Sequence, residues 1–125
     1  MELIIGGAYA GKLRCAIEKY GLSPDVVCDL RQGAPAVGCR CYRHLEAFTK
    51  RCAEAGLSAE EALSALEPCL ESAEVIISRE IGSGIVPMDE LERRWRELHG
   101  QVLSAIARRA ERVTRLFLGI PEVLK

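Results

Sequence analysis

Apolar positions in this chain alternate between short unbroken runs and longer stretches with helical spacing. Leu3–Ile5 is a β-rich run closed by Gly6 and Gly7, which predicts a buried strand. Leu13, Ala16, Ile17 and Tyr20 then line one face of a helix over Lys12–Tyr20, with Gly21 as its stop. Asp25–Asp29 follows Pro24 as a second apolar run, read as a strand, and Gly33, Pro35 and Gly38 make residues 30–40 a loop. Leu45, Phe48 and Cys52 predict a helix from Cys41 to Ala55, ended by Gly56. Ser58-x-x-Glu61 is a capping box and opens another helix, which Pro68 interrupts or ends. Val75-Ile76-Ile77 is the third strand, and 79–87, with Gly82, Gly84 and Pro87, the next loop. Asp89 opens the longest helix, to about Arg109, with Leu91, Trp95, Leu98, Val102, Ile106 and Ala110 on one face. Val113–Leu118 is the fourth strand, ended by Gly119 and Pro121.

Strands that alternate with helices pair in parallel through right-handed crossovers. The expected fold is therefore α/β: a three-layer sandwich around a short, mostly parallel sheet of about four strands, in one domain over residues 1–125. Composition supports a packed domain, with 49% apolar and 28% charged residues. The net charge of −1 shows no basic excess, so nucleic acid is not an expected partner. No apolar run is long enough to span a membrane, and Leu3–Ile5 is too short for a signal sequence, so the cytoplasm is the expected compartment. Six cysteines without secretion signals read as free, mostly buried thiols, with a metal or redox role for Cys39-x-Cys41 as the lesser alternative.

The chemistry concentrates at Gly6-x-x-x-x-Gly11-Lys12, between a predicted strand and a predicted helix. That is the context of a phosphate-cradling P-loop, in which backbone N–H groups wrap a phosphate chain and the lysine reaches its terminal phosphates. Gly6, Gly7, Ala8, Gly11 and Lys12 are the candidate nucleotide-binding residues. A glycine-rich turn of any α/β domain is the competing reading. Leu13 stands where the motif carries the Ser or Thr hydroxyl that ligates Mg²⁺, so a nucleotide is expected and the cation is in doubt. Asp29, at the end of an apolar strand, is the candidate Mg²⁺ holder, against an ordinary strand-end aspartate. His44 and His99 have no nucleophile or base at a telling spacing; Glu90–Glu97 reads as a solvated helix face, and Arg108, Arg109, Arg112 and Arg115 as a solvated helix end, with a phosphate-binding face as the alternative for that second cluster.

Glu80-Ile81-Gly82-Ser83-Gly84-Ile85-Val86-Pro87 resembles the Glu-Val-Gly-x-Gly-Ile-Val-Pro signature of the adenosylcobinamide kinase/adenosylcobinamide-phosphate guanylyltransferase family. The likeness continues in phase through Arg94-Trp95-Arg96-Glu97, Gly100, Ala110-Glu111-Arg112-Val113 and Gly119-Ile120-Pro121 to Lys125. Gly6-Gly7-Ala8 and Gly11-Lys12 resemble the family's Gly-Gly-Ala-Arg-Ser-Gly-Lys-Ser loop. The resemblance implies a P-loop NTPase-type α/β protein of cobalamin biosynthesis, cytoplasmic and oligomeric. Its ligands would be GTP or ATP and a corrinoid intermediate. Its reactions would be phosphorylation of adenosylcobinamide and then GMP transfer through a guanylylated histidine. It places Glu80 beside the nucleotide and Asp29 at the acidic end of the second conserved strand.

Leu13 replaces the family's P-loop Ser, Arg79 the Asn before its Glu-Val-Gly, and Leu103-Ser104 its late Asn-Gln pair. The chain is shorter than the family's usual length in the middle, and no His-x-x-x-Arg-Pro-like context is present. Loss of the hydroxyl weakens charge neutralisation of the phosphates, and loss of the histidine context removes the covalent route. The expectation is a shortened, degenerate member: a nucleotide- or corrinoid-binding module without guanylyl transfer. An active kinase and a self-associating scaffold are the alternatives. Lys12 and Asp29 are its candidate catalytic residues.

Overall fold

In the computed structural model, which describes residues 1–8, 10–81 and 89–125, the sheet begins with β1 (Glu2–Gly6), buried along its whole length. Helix α1 (Lys12–Tyr20) and a 3₁₀ turn (Pro24–Val26) lead to β2 (Val27–Asp29). Next come β3 (Cys41–Arg43), α2 (Leu45–Glu54), α3 (Ala59–Leu70) and β4 (Val75–Arg79). The 20-residue α4 (Glu90–Arg109), β5 (Arg112–Phe117) and β6 (Ile120–Val123) complete the described chain. Strand order is β2-β3-β4-β1-β5-β6, parallel throughout except for the antiparallel β5–β6 pair.

Alternation along the central strands divides the core in two. Leu3, Ile5, Ile76 and Val113 pack under α2, α3 and α4 with Leu45, Phe48, Leu66, Leu98, Val102 and Ile106. Ile4, Val75, Ile77 and Leu116 pack on the opposite face with Ala16 of α1 and Leu22. One helix therefore covers one face and three cover the other, the layered α/β arrangement expected. Each large aliphatic side chain so buried stabilises the fold by about 1.5–3 kcal/mol before chain entropy is counted.

Among the described residues the sheet has six strands, not about four. β3 lies where the sequence reads as the start of a helix, because Cys41 and Tyr42 continue the apolar spacing of Leu45 and Phe48 into the strand. His44 separates the two elements, in the left-handed region at φ 62. β6 is exposed at every position and shows no inward alternation. It is carried by a two-residue turn with positive φ at Leu118 (52) and Gly119 (77), the geometry that matches strand twist. Pro121 is tolerated there because β6 is an edge strand. Of the run 25–29, only Val27–Asp29 is strand; Pro24 initiates a 3₁₀ turn instead.

Pro68 neither breaks nor ends α3. Only Cys69 and Leu70 follow it in the helix, and both are buried, so packing holds the last turn despite the missing N–H. The capping box is formed: Ser58 Oγ accepts from Glu61 N (3.2 Å) and Glu61 Oε1 accepts from Ser58 N (3.0 Å). All six cysteines are free. Cys41 joins the core on the α1 face while Cys39, before the strand, packs against the other, so the pair does not converge.

Candidate functional site

β1 and β4 are hydrogen-bonded neighbours whose onward connections diverge: β1 leads to α1 on one face, β4 to α4 on the other. In open α/β sheets such a divergence opens a crevice at the carboxyl ends of the strands, and ligands bind there. A cleft of about 550 Å³ occupies this place. It is walled by Ala8 and Ala10–Arg14 after β1, Arg43 at the end of β3 and His44 after it, Glu46, Ala47 and Lys50 on α2, Arg79 at the end of β4, and Trp95 on α4. Its size falls in the usual range for small-molecule sites.

The loop that enters the cleft is shaped by two glycines. A Cβ on Gly6 would stand 2.6 Å from the carbonyl oxygen of Leu116, so the chain leaves β1 hard against β5. Gly11 sits at φ 83 and begins α1. That helix start has no side-chain cap and no acidic residue in its first turn. α3 and α4, by contrast, are capped by Ser58 and Asp89. Uncapped N–H groups and the positive end of the helix dipole favour an anion. The Lys12 ammonium donates to Gly7 O at 2.6 Å, folding over the loop it belongs to. Burial pushes its pKa down, opposed by Glu46 and reinforced by Arg79 and Arg43. Leu13 lines the cleft and packs into the α1-side core, so it offers carbon where the motif offers a hydroxyl.

Beyond the loop the cleft is basic. Arg14 pairs with Glu18 across a turn of α1, and Arg31 grips Asp29. Lys50 lies 5.5 Å from the centre of the Trp95 ring, a cation–π contact. Arg43 and Arg79 have no carboxylate partner among the described residues. The one acid in the wall, Glu46, is buried, and its oxygens are engaged: Oε1 accepts from Arg79 N (2.8 Å) and Oε2 faces His44 Nδ1 (2.9 Å). Burial alone would raise its pKa, but these two donors outweigh burial and hold it below the usual carboxylate value. An ionised carboxylate only accepts, so His44 Nδ1 carries the proton. Its Nε2 is enclosed and has no hydrogen-bond partner.

Behind this wall lies a buried polar network. His99, 1% exposed, joins Thr49 Oγ1 (2.8 Å, Nδ1) to Ser78 Oγ (3.1 Å, Nε2). Trp95 Nε1 donates to Glu46 O (3.0 Å) and to Thr49 Oγ1 (3.1 Å). These bonds tie α2, β4 and α4 together beneath the cleft and fix the Trp95 ring at its edge.

The sequence-predicted residues divide. Ala8, Gly11 and Lys12 line the cleft, Gly6 shapes its loop, and Gly7 contributes the carbonyl oxygen that accepts from Lys12. Glu80 lies beside the loop, its N–H bonded to Gly6 O (3.1 Å), but its carboxylate turns to Arg115 of β5 (3.2 Å) and is not part of the cleft wall. Asp29 ends the edge strand β2, with β3 and β4 between it and β1. Arg31 holds its carboxylate through Nε and NH2 (2.8 Å for the latter) and keeps its pKa low. Tyr9 and the Gly82–Pro87 signature lie outside the described residues. Arg43, Glu46, Lys50, Arg79 and His44 were not singled out from sequence as cleft residues. Only their positions at strand ends and on the first turns of α2 could have suggested them.

The family described as cobinamide kinase/cobinamide phosphate guanyltransferase (CobU) matches residues 39–124, from just before β3 to just after β6. Among curated proteins, the bifunctional adenosylcobalamin biosynthesis protein CobP of Pseudomonas aeruginosa is 45% identical over 51 residues. Those residues are 41% of this chain and 30% of that relative, so the match spans under a third of the relative's length. No helix among the described residues is long and apolar enough to cross a membrane. The match over residues 39–124 covers well over half of the chain, and the chain belongs to the cobinamide kinase/cobinamide-phosphate guanyltransferase family of cobalamin biosynthesis.

Proposed function

We propose that this chain is a nucleotide-binding module of cobalamin biosynthesis, holding the polyphosphate of GTP or ATP in the cleft between β1 and β4 without carrying out guanylyl transfer. The observation that supports this most is convergence. The uncapped start of α1, the Lys12 ammonium and two arginines without acid partners meet in one cleft at the sheet's switch point. Lys12 would leave Gly7 O for the phosphates, and backbone N–H groups from Gly11 onward would take their oxygens. Trp95, fixed by its two hydrogen bonds, gives a flat wall for an apolar or aromatic part of the ligand.

A reduced kinase acting on a corrinoid alcohol is the second reading. The ionised Glu46 carboxylate inside the cleft favours it, because phosphoryl transfer needs an acceptor to orient the attacking hydroxyl. In that reading Asp29 holds Mg²⁺ through water, which requires Arg31 to release it. Self-association is a compatible third property. Phe117, Leu118, Ile120, Val123 and Leu124 are all more than half exposed along the β5–β6 edge, an apolar strip available to a second copy.

Titrating GTP and ATP, followed by assay with adenosylcobinamide, separates these. Binding without turnover is the result expected of the module. Turnover in Mg²⁺ would establish the kinase instead, and absence of nucleotide binding would remove both. Intact mass after incubation with GTP should show no increment. A covalent nucleotidyl adduct that disappears in His44→Ala would overturn the exclusion of guanylyl transfer.

A further inference from the structure

Resting on the reading that the cleft holds a phosphate chain, we propose that Arg43 and Arg79 replace the divalent cation. They neutralise the phosphates together with Lys12, so that polyphosphate binds without metal.

The argument starts from which charges are already satisfied. Arg14, Lys19, Arg31, Arg40, Arg109 and Arg115 are each committed to a carboxylate. Arg43 and Arg79 are not, and both face the same cleft as Lys12. Their placement is fixed by the sheet. Arg43 closes β3 and Arg79 closes β4, and Arg79 is in register with Gly6, the last residue before the phosphate loop. Glu46 anchors the backbone N–H of Arg79, while no carboxylate among the described residues pairs with its guanidinium. Lys12 feels both arginines through space, which places the three cations in one field.

The potential cation ligands show the opposite pattern. The hydroxyl position is Leu13, Asp29 is gripped by Arg31, and Glu80 is turned to Arg115. Glu46 is engaged by an N–H and by His44. No cluster of three or more His, Cys, Asp or Glu side chains suited to a metal occurs among the described residues. A hard cation needs several oxygen ligands; Asp29 and Glu80 are each paired with an arginine, which leaves Glu46 as a single carboxylate in the cleft wall. Guanidinium groups meet phosphate oxygens in a matching fork and carry their charge at every physiological pH.

Calorimetric titration with inorganic tripolyphosphate, in EDTA and in MgCl₂, tests this without any contribution from a base or sugar. Saturable binding in EDTA, not strengthened by MgCl₂, is the expected result. Arg43→Gln and Arg79→Gln should each weaken it roughly tenfold. Arg109→Gln, which removes a surface charge paired with Glu67, should leave it unchanged. Thermal melts confirm that each variant is folded; Arg79 is exposed at the strand end, so its variant carries the test if Arg43→Gln does not fold. Binding that requires MgCl₂ and ignores both arginine variants overturns the proposal while leaving the phosphate site intact. No binding in either buffer overturns the proposal and the phosphate site together.

Discussion

A methyl group added at Gly6 would meet the Leu116 carbonyl oxygen at 2.6 Å, while one added at Gly7 meets nothing within 4 Å. Two adjacent glycines that look alike in sequence therefore do different work. Gly6→Ala should cost about 1–3 kcal/mol, seen as a lowered melting temperature, because the clash is with backbone in a neighbouring strand. Gly7→Ala should melt with the parent chain, and a Gly7→Ala variant as unstable as Gly6→Ala would show that the loop takes another path. The glycine-lysine pattern and its place between strand and helix were readable from the sequence, because both are local. The partner of Glu80 was not, since Arg115 is an ordinary surface arginine until the sheet sets it opposite that carboxylate, whereas the Arg31 that holds Asp29 is a local partner only two residues on. His44 was hidden for the same reason. Its Glu46 contact is two residues away, but the cleft it faces is built from β1, β4 and α4.

Elements with a long one-sided pattern, such as α4, were legible almost to their ends. Leu98, Val102 and Ile106 are the buried stripe that the spacing predicts, and Asp89 caps the helix through Leu91 N and Glu92 N. β3 was not, because three residues cannot establish a period and their apolar members stay in phase with the helix that follows. β6 carries no pattern at all and is held by a turn whose sequence, Leu118-Gly119, lacks the usual Asn-Gly signature. Leu118 bears the steric cost of a left-handed backbone with a branched side chain that is 80% exposed. Leu118→Asn should therefore stabilise the chain by about 0.5–1 kcal/mol in denaturant titration, since Asn tolerates that conformation and no buried contact is lost. Loss of stability in this variant would mean that the apolar edge is already covered by a partner.

The whole molecule joins the cleft to its core through His99, whose buried ring is held neutral: burial pushes its pKa below the ordinary 6.5. The unfolded chain then binds this proton more readily than the folded one. Stability from His99 is full above about pH 6.5 and drains as pH falls toward its folded pKa, at up to about 1.4 kcal/mol per pH unit. Glu2 adds a second acid-sensitive step. Burial would raise its pKa, but Lys19, Thr114 and Tyr20 together outweigh burial and hold it below 4.5, so its contribution is lost as pH falls through that lower value. Melts from pH 7.5 to 5 should slope downward, and His99→Asn should flatten the slope while lowering the plateau. An unchanged slope would place the titrating group elsewhere. The account as a whole rests on a polyphosphate lying against the start of α1. A crystal structure grown with GTP tests that most directly. The phosphate chain should lie within hydrogen-bond distance of Lys12 Nζ and of the N–H groups that begin α1, with Lys12 drawn away from Gly7 O. Nucleotide density elsewhere, with the Lys12–Gly7 bond intact, would contradict it.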